Sequence, residues 1–519
     1  MILVALPFTA APERADQMHQ ELRHTTRVME ISLRKPLWSL LFMFAVSGAS
    51  LLLAAEISVV GIVSSFDTAK VGRWLLPLDP DDAQLQHRLW QVQKSHDPAE
   101  SLRHLRLATE LSPYSRLYWD DLATACEAMG DAACASRAIE HLLKLSPMAP
   151  FYHQLAAESY FRSHRLDDSV AEFRRVLELD PKYAPSVWDF LGSDVEPAPY
   201  SPLTPEAIFQ RVLADPIEPE VQVSYVDFLS ARGDNDAAFR IWKLIAAKKL
   251  VARDVDPASD PQTNGSADDP TPTNPHQPTP RPAPHRLSSI RQLTDNPSAD
   301  GQSPIPFRFA SVEPYLDRVI GLGRIGEATT VWRDLERLGI VTRPPQTEKF
   351  APPGRDDNLV FNGDFEQFPL NAGFDWRWSG QLTFLAVDFA APDPYRGAHC
   401  LRIDFTVTRN QEYEPVSQIV PVLPNHAYRV EAYVRSEDIT SDTGPSLRVR
   451  DTQQPGFRDA VSDTTVGTTP WHPVRVYFSA GPNTRAVRLS VWRPVGRVFP
   501  TEITGSFWLD TVSVECLDN

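Results

Sequence analysis

The feature that most constrains this chain is a ruler of prolines. The segments "LSPYSRLYWDDL", "LSPMAPFYHQLA" and "LDPKYAPSVWDF" set Pro113, Pro147 and Pro181 34 residues apart, and Pro80 in "LDPDD" stands 33 before Pro113. A fixed period of this size marks a supersecondary unit that buries its apolar face only by stacking on its neighbours. Between successive prolines lie two helical patterns. In "RLYWDDLATACEAMGDAACASRAIEHLLKLSP", Trp119, Leu122, Ala123 and Cys126 form one apolar stripe, and Ala135, Ile139 and Leu142 form the facing one. Gly130–Asp131 makes the turn between them, and small Ala123 opposite small Ala135 lets the helices approach closely. The next unit repeats the pattern with Ala157, Tyr160, Phe173 and Leu177.

Period and pattern resemble the tetratricopeptide repeat, and the match covers about 80–190 well. Looser units follow in "VQVSYVDFLSARGDNDAAFRIWKLIAAKK", with Gly233, Ala238 and Trp242, and in "VEPYLDRVIGLGRIGEATTVWRDLERLG", with Gly323, Ala328 and Trp332. We therefore assign helical repeats to 75–252 and a further unit to 307–345. The aromatic residues named are read as core. The resemblance implies a solenoid whose concave surface takes a protein partner. Between the two blocks, 253–306 is polar and rich in proline, in a chain with 47 prolines against 23 glycines. It reads as a disordered insertion acting as a spacer.

Pro36–Ala55 ("PLWSLLFMFAVSGASLLLAA") carries no charge and is long enough for a membrane span. Arg23, Arg27, Arg34 and Lys35 precede it, whereas only Lys70 and Arg73 follow closely. The positive-inside rule then predicts a cytoplasmic segment 1–35, a transmembrane anchor 36–66, and the bulk of the chain periplasmic or extracellular, on the inner membrane. A cleaved signal peptide is the rival reading, with Leu53 poorly suited to the −3 position of a cleavage site after Ala55. The net charge of −16 argues against nucleic acid as a partner. The four cysteines have no zinc-type spacing; Cys126 and Cys134 fall on one hairpin and can pair, whereas Cys400 and Cys516 fall on opposite strand parities.

After Arg355 the helical period gives way to short alternating segments. "YRVEAYVR", "SLRVR", "VRVYF" and "AVRLSVW" each bury one face and offer arginine and aromatic residues on the other. The opening "NLVFNGDFE", then "GFDWRW", "TTPWHPVRVYFSA" and the closing "FWLDTVSV" resemble a carbohydrate-binding module of the family 4/9 type, over roughly 357–517. The resemblance implies a jelly roll over 355–519, and a carbohydrate partner. Sugar rings stack on aromatic faces while their hydroxyls need planar polar groups. Trp376, Trp378, Tyr433 and Trp492 are the aromatic candidates, with Arg435 and Arg488 as polar ones. Trp508 is assigned to the core. The resemblance further implies one structural calcium ion held by Glu366 and Asp510, with Asp364 as a weaker candidate.

No hydrolase, zinc-protease, phosphate-loop or dinucleotide motif occurs, so no enzyme is expected. The expected fold is multidomain: a transmembrane helix, an all-α helical-repeat solenoid, then an all-β jelly-roll sandwich. The expected function is a membrane-anchored, extracytoplasmic glycan binder with a scaffold for protein partners. The competing reading is an assembly scaffold whose jelly roll is structural, and a third is a glycoside-active enzyme.

Overall fold

The computed structural model describes residues 36–65, 67, 69–192, 203–255, 306–343, 358–379, 384–406, 410–453, 459–499 and 501–518. The predicted segment 1–35 and nearly all of the predicted insertion, at 256–305, lie outside the described residues. Two compact units divide the chain, Met1–Leu145 and Ser146–Asn519.

In the first unit, α1 (Pro36–Ser65) and α2 (Ala69–Leu75) precede two hairpins, α3 (Ala83–Gln93) with α4 (Pro98–Leu111), and α5 (Arg116–Ala128) with α6 (Ala132–Leu145). Asp82 caps α3 by accepting from the Gln84 and Leu85 amides. Asp97 caps α4 just ahead of Pro98, the position where proline costs no hydrogen bond. Ala123 and Ala135 are buried as expected, and a disulfide joins Cys126 to Cys134 across the α5–α6 turn.

The membrane anchor is corrected. Among the described residues no helix is long and apolar enough to cross a membrane. The expected single-pass inner-membrane location, with its N-terminus inside, rested on that anchor and falls with it.

The second unit begins with α7 (Pro150–Arg162) and α8 (Leu166–Leu179), followed by α9 (Ala184–Gly192), α10 (Pro205–Arg211), α11 (Pro219–Ala231), α12 (Asn235–Val255), α13 (Phe309–Gly321) and α14 (Ile325–Arg337). Its repeat turns share one geometry. Gly233 (φ 90°) and Gly323 (φ 74°) are left-handed, and the residue after each donates back to Leu229 and Val319 respectively. His164 (φ 61°) takes that place in the α7–α8 turn, without glycine's freedom. Helices on either side of 256–305 share a core. The Trp242 indole donates to Asp334 at 3.2 Å, and Arg318 of α13 pairs with Asp227 of α11.

Among the described residues ten strands follow: β1 (Arg377–Trp378), β2 (Leu385–Ala391), β3 (Cys400–Thr406), β4 (Tyr413–Pro421), β5 (Ala427–Ile439), β6 (Ser446–Asp451), β7 (Ala460–Val461), β8 (Gly467–Ser479), β9 (Ala486–Arg493) and β10 (Thr504–Cys516). Sheet I has the order β1-β4-β9-β6-β7 and sheet II the order β2-β3-β10-β5-β8. Setting aside the edge strands β1 and β2, the orders β4-β9-β6-β7 and β3-β10-β5-β8 are those of a jelly roll. Alternation sends Val420, Leu489, Val491, Leu447 and Val449 of sheet I inward against Ile403, Val430, Ala432, Val434, Phe507 and Leu509 of sheet II. The opening and closing motifs meet as expected. Asn358 bonds the Val512 carbonyl and the Val514 amide, and Val512 N–H donates to the Gly363 carbonyl at 2.8 Å. A β-carbon on Gly363 would lie 2.1 Å from the Val512 oxygen, which explains the glycine. Cys400 and Cys516 are free thiols, as their parities predict.

The sandwich is joined to the last helical hairpin through the "NLVFNGDFEQFPLNAGFDWRW" segment. Trp332 of α14 meets the rings of Phe361 and Phe374 edge-on, at 5.1 and 5.8 Å. Gly373 (φ 60°) lets the loop close on it, since a β-carbon there would stand 2.3 Å from the Trp332 ring. Asp317 of α13 takes Arg377 in a two-pronged ion pair (2.9 and 2.6 Å) and accepts the Gly373 amide. Ile419 of β4 and Ala486 of β9 are buried in the same core as these helices.

Candidate site on the outer face of sheet I

The six residues expected to bind carbohydrate divide among the core and two opposite faces. Trp376 is wholly buried, stacks on Phe365 at 5.2 Å and donates its indole N–H to the Asn362 carbonyl. Trp378, in β1, turns to the same side, edge-on to Phe389 at 5.1 Å. The alternation of "WRW" is thus real, but its tryptophans face the sandwich core while Arg377 faces the helices. Trp376 is therefore corrected from a stacking platform to a core residue, because a buried ring has no free face.

Tyr433 and Arg435 lie on the outer face of sheet II. Tyr433 is stacked on Tyr395 at 3.7 Å, and Arg435 covers Trp508 at 4.5 Å, with Arg402 over the same ring at 5.1 Å. Trp508 is buried, as expected, but beneath these guanidinium groups rather than between the sheets.

Trp492 and Arg488 lie on the outer face of sheet I, where a cluster of interlocked charges assembles. Arg448 and Ser490 are paired across β6 and β9, as are Arg450 and Arg488. The Arg448 guanidinium is nearly buried, lies 4.5 Å over the Trp492 ring, and pairs with Glu412 at 2.8 Å and Glu414 at 3.1 Å. Arg450 lies 3.7 Å from both Glu414 and Asp459. Trp492 donates its indole N–H to Glu412 at 2.6 Å, and Ser490 donates to Glu414 at 2.5 Å. The Trp492 hydrogen bond, helped by Arg448, holds the Glu412 carboxyl below its usual range against the effect of burial. The result is a half-exposed indole set in a fixed lattice of forks and carboxylates, suited to hydroxyl-rich ligands. Glu412, Glu414 and Asp459 escaped the sequence reading because they lie at the start of β4 and just before β7, and only strand pairing brings them to Arg448. Beside them, Arg493 is buried and donates to the Gln411 and Thr501 carbonyls, fixing the loop beyond β9.

Glu366 and Asp510, the expected calcium ligands, converge on one loop. Glu366 accepts the Ala398 and His399 amides, and Asp510 accepts those of Arg396 and Thr511. Asp510 is fully buried and its carboxyl is pushed up to about 6 by burial. Asp364 is half-buried and its carboxyl is also raised by burial. Among the described residues no group of three or more His, Cys, Asp or Glu side chains is placed to hold a metal ion.

No family model matches the chain, and no curated protein does. Solved structures match parts of it. TmCBM61, solved in complex with β-1,4-galactotriose, is 18% identical over 31% of this chain and 99% of its own, with a TM-score of 0.22. The CBM22-1 xylan-binding domain of Paenibacillus barcinonensis Xyn10C is 16% identical over 30% of this chain and 93% of its own, also at 0.22. MamA is 12% identical over 36% of this chain and 88% of its own, at 0.22. The chain thus resembles carbohydrate-binding modules in one part and MamA in another, at a similarity too low to carry an assignment.

Proposed function

We propose that the protein is a non-catalytic carbohydrate binder whose site is the open part of the sheet I face, with the helical repeats serving a protein partner. The observation that carries this reading is Trp492, held half-exposed within the lattice of Arg448, Arg450, Glu412, Glu414 and Asp459. A pre-formed lattice orients sugar hydroxyls without ordering side chains on binding. Glu412, lowered by its Trp492 and Arg448 partners, is unsuited to the role of a glycosidase's acid, which needs a raised pKa. On the helical side, Tyr114 (85% exposed) and Leu117 (57%) give a protein partner apolar anchors.

The test is affinity electrophoresis of the full chain in gels containing xylan, β-1,4-galactan or other soluble polysaccharides. Wild type is expected to be retarded, and Trp492→Ala to weaken binding by roughly tenfold or more. Tyr433→Ala, on the opposite face, is expected to change nothing. Lack of retardation in every gel would sink the reading. It would favour the competing one, a structural sandwich, which the docking of Trp332 between Phe361 and Phe374 supports.

Calcium belongs to this proposal on one ground. Asp510 is a buried carboxylate with no ion pair among the described residues, and with Glu366 it fixes loop 395–399. A cation held by these two side chains would neutralise that burial and stiffen the loop. A melting temperature that ignores added calcium and chelator alike would dismiss it.

A further inference from the structure

The site on sheet I is closed on two sides by the chain's own helices. Its central row runs Arg377 (β1), Ser417 (β4), Ser490 (β9), Arg448 (β6) and Val461 (β7). At the β1 end of that row Arg377 is engaged two-pronged by Asp317 of α13. Along β9 the outward positions run Ala486, Arg488, Ser490 and Trp492. The first is buried in the helical core, as is Ile419, which pairs with Arg488. Just past β6, Gln453 donates to the Gly323 carbonyl in the α13–α14 turn. A polymer laid across the strands therefore meets α13 at Arg377. One laid along the strands meets the hairpin at Ile419 and Ala486. What remains open is the corner from Arg488 to Trp492, about 13 Å along the strand.

We propose, building on the carbohydrate reading above, that this site takes the end of a glycan chain or a short oligosaccharide, and not an internal stretch of a long polymer. The helical hairpin acts as a wall that a continuing chain cannot pass. An isolated sandwich would lack that wall, so the specificity is a property of the joined unit.

The experiment uses the full chain with xylan and β-1,4-galactan, each intact and partly hydrolysed to known mean lengths. Bound protein at saturation is measured per gram of polymer. Capacity is expected to rise in proportion to the number of chain ends, and a short oligosaccharide of the same sugar is expected to compete fully. Capacity per gram that stays constant on shortening, together with binding that Trp492→Ala abolishes, overturns the end-binding inference while leaving the site in place. Binding that Trp492→Ala leaves intact, or no binding to any form, overturns the site itself and the inference with it.

Discussion

The outer face of sheet I has two ends built on the same strands. At one, Ile419, Ala486 and Arg377 are sealed under α13 and α14; at the other, Arg488 is exposed and Trp492 partly so, above the buried Ser490 and Arg448. Pairing of β6 with β9 runs unbroken from one to the other, and that of β4 with β9 shifts register between Tyr413 and Val416. What separates the sealed end from the open one is therefore chiefly the choice of outward side chains. Small or aliphatic residues beside one well-placed ion pair accept a helix. An indole among interlocked charges resists burial, because covering it would strand charges that water still reaches.

The largest break in this comparison comes from Trp332→Ala. Trp332 is buried between the helical core and Phe361 and Phe374, so truncation should cost about 3–5 kcal/mol. Calorimetry should also show the sandwich melting apart from the later helices; a single unshifted transition would refute the seal. Asp317→Ala leaves the Arg377 guanidinium half-buried without its carboxylate, and should cost about 2 kcal/mol in chemical denaturation. Trp492→Ala probes the open end, where stability should change by less than about 1 kcal/mol while glycan binding weakens by roughly tenfold or more. A large loss of stability there would make the indole a structural post.

The dependence on pH differs in sign between the ends. Asp375 beside the sealed end is buried, and its carboxyl is pushed up to about 7. Its folded pKa lies above the unfolded one, so stability is greatest below about pH 4 and is lost as pH rises through 7. Glu412 at the open end is depressed, so its contribution holds above the unfolded value near 4.5 and is lost as pH falls through the lower folded pKa. Denaturation midpoints between pH 5 and pH 8 should fall for wild type and stay flatter for Asp375→Asn. Equal slopes would remove Asp375 from the account.

Much of this was legible in the sequence. The proline ruler and the facing alanines located the hairpins, and period-2 alternation gave the inward face of β5, β6, β8 and β9 residue by residue. Alternation also paired Trp376 with Trp378, but it cannot say which side of a strand is wet, and so a core tryptophan was read as a platform. It likewise could not distribute Tyr433, Arg435, Arg488 and Trp492 between two sheets, which only the strand order does. The seal left a faint signal: "VSQIV" in β4 sets the aliphatic Ile419 on the parity opposite Val416 and Val420, as strands covered on both faces do. The carboxylates around Arg448 left none, since long-range pairing brings them together.

One consequence follows from the indole of Trp242 finding its acceptor on Asp334, beyond residues 256–305. The covalent order of the chain and the order of its core disagree: the wall beside the proposed site follows that segment but packs on helices that precede it. A chain severed between 255 and 306 would therefore behave as a split protein. Its carboxyl-terminal piece would carry the sandwich and the final hairpin, and its amino-terminal piece would supply Trp242 and Asp227 as the complementing half. Mixing the two halves should restore what neither has alone.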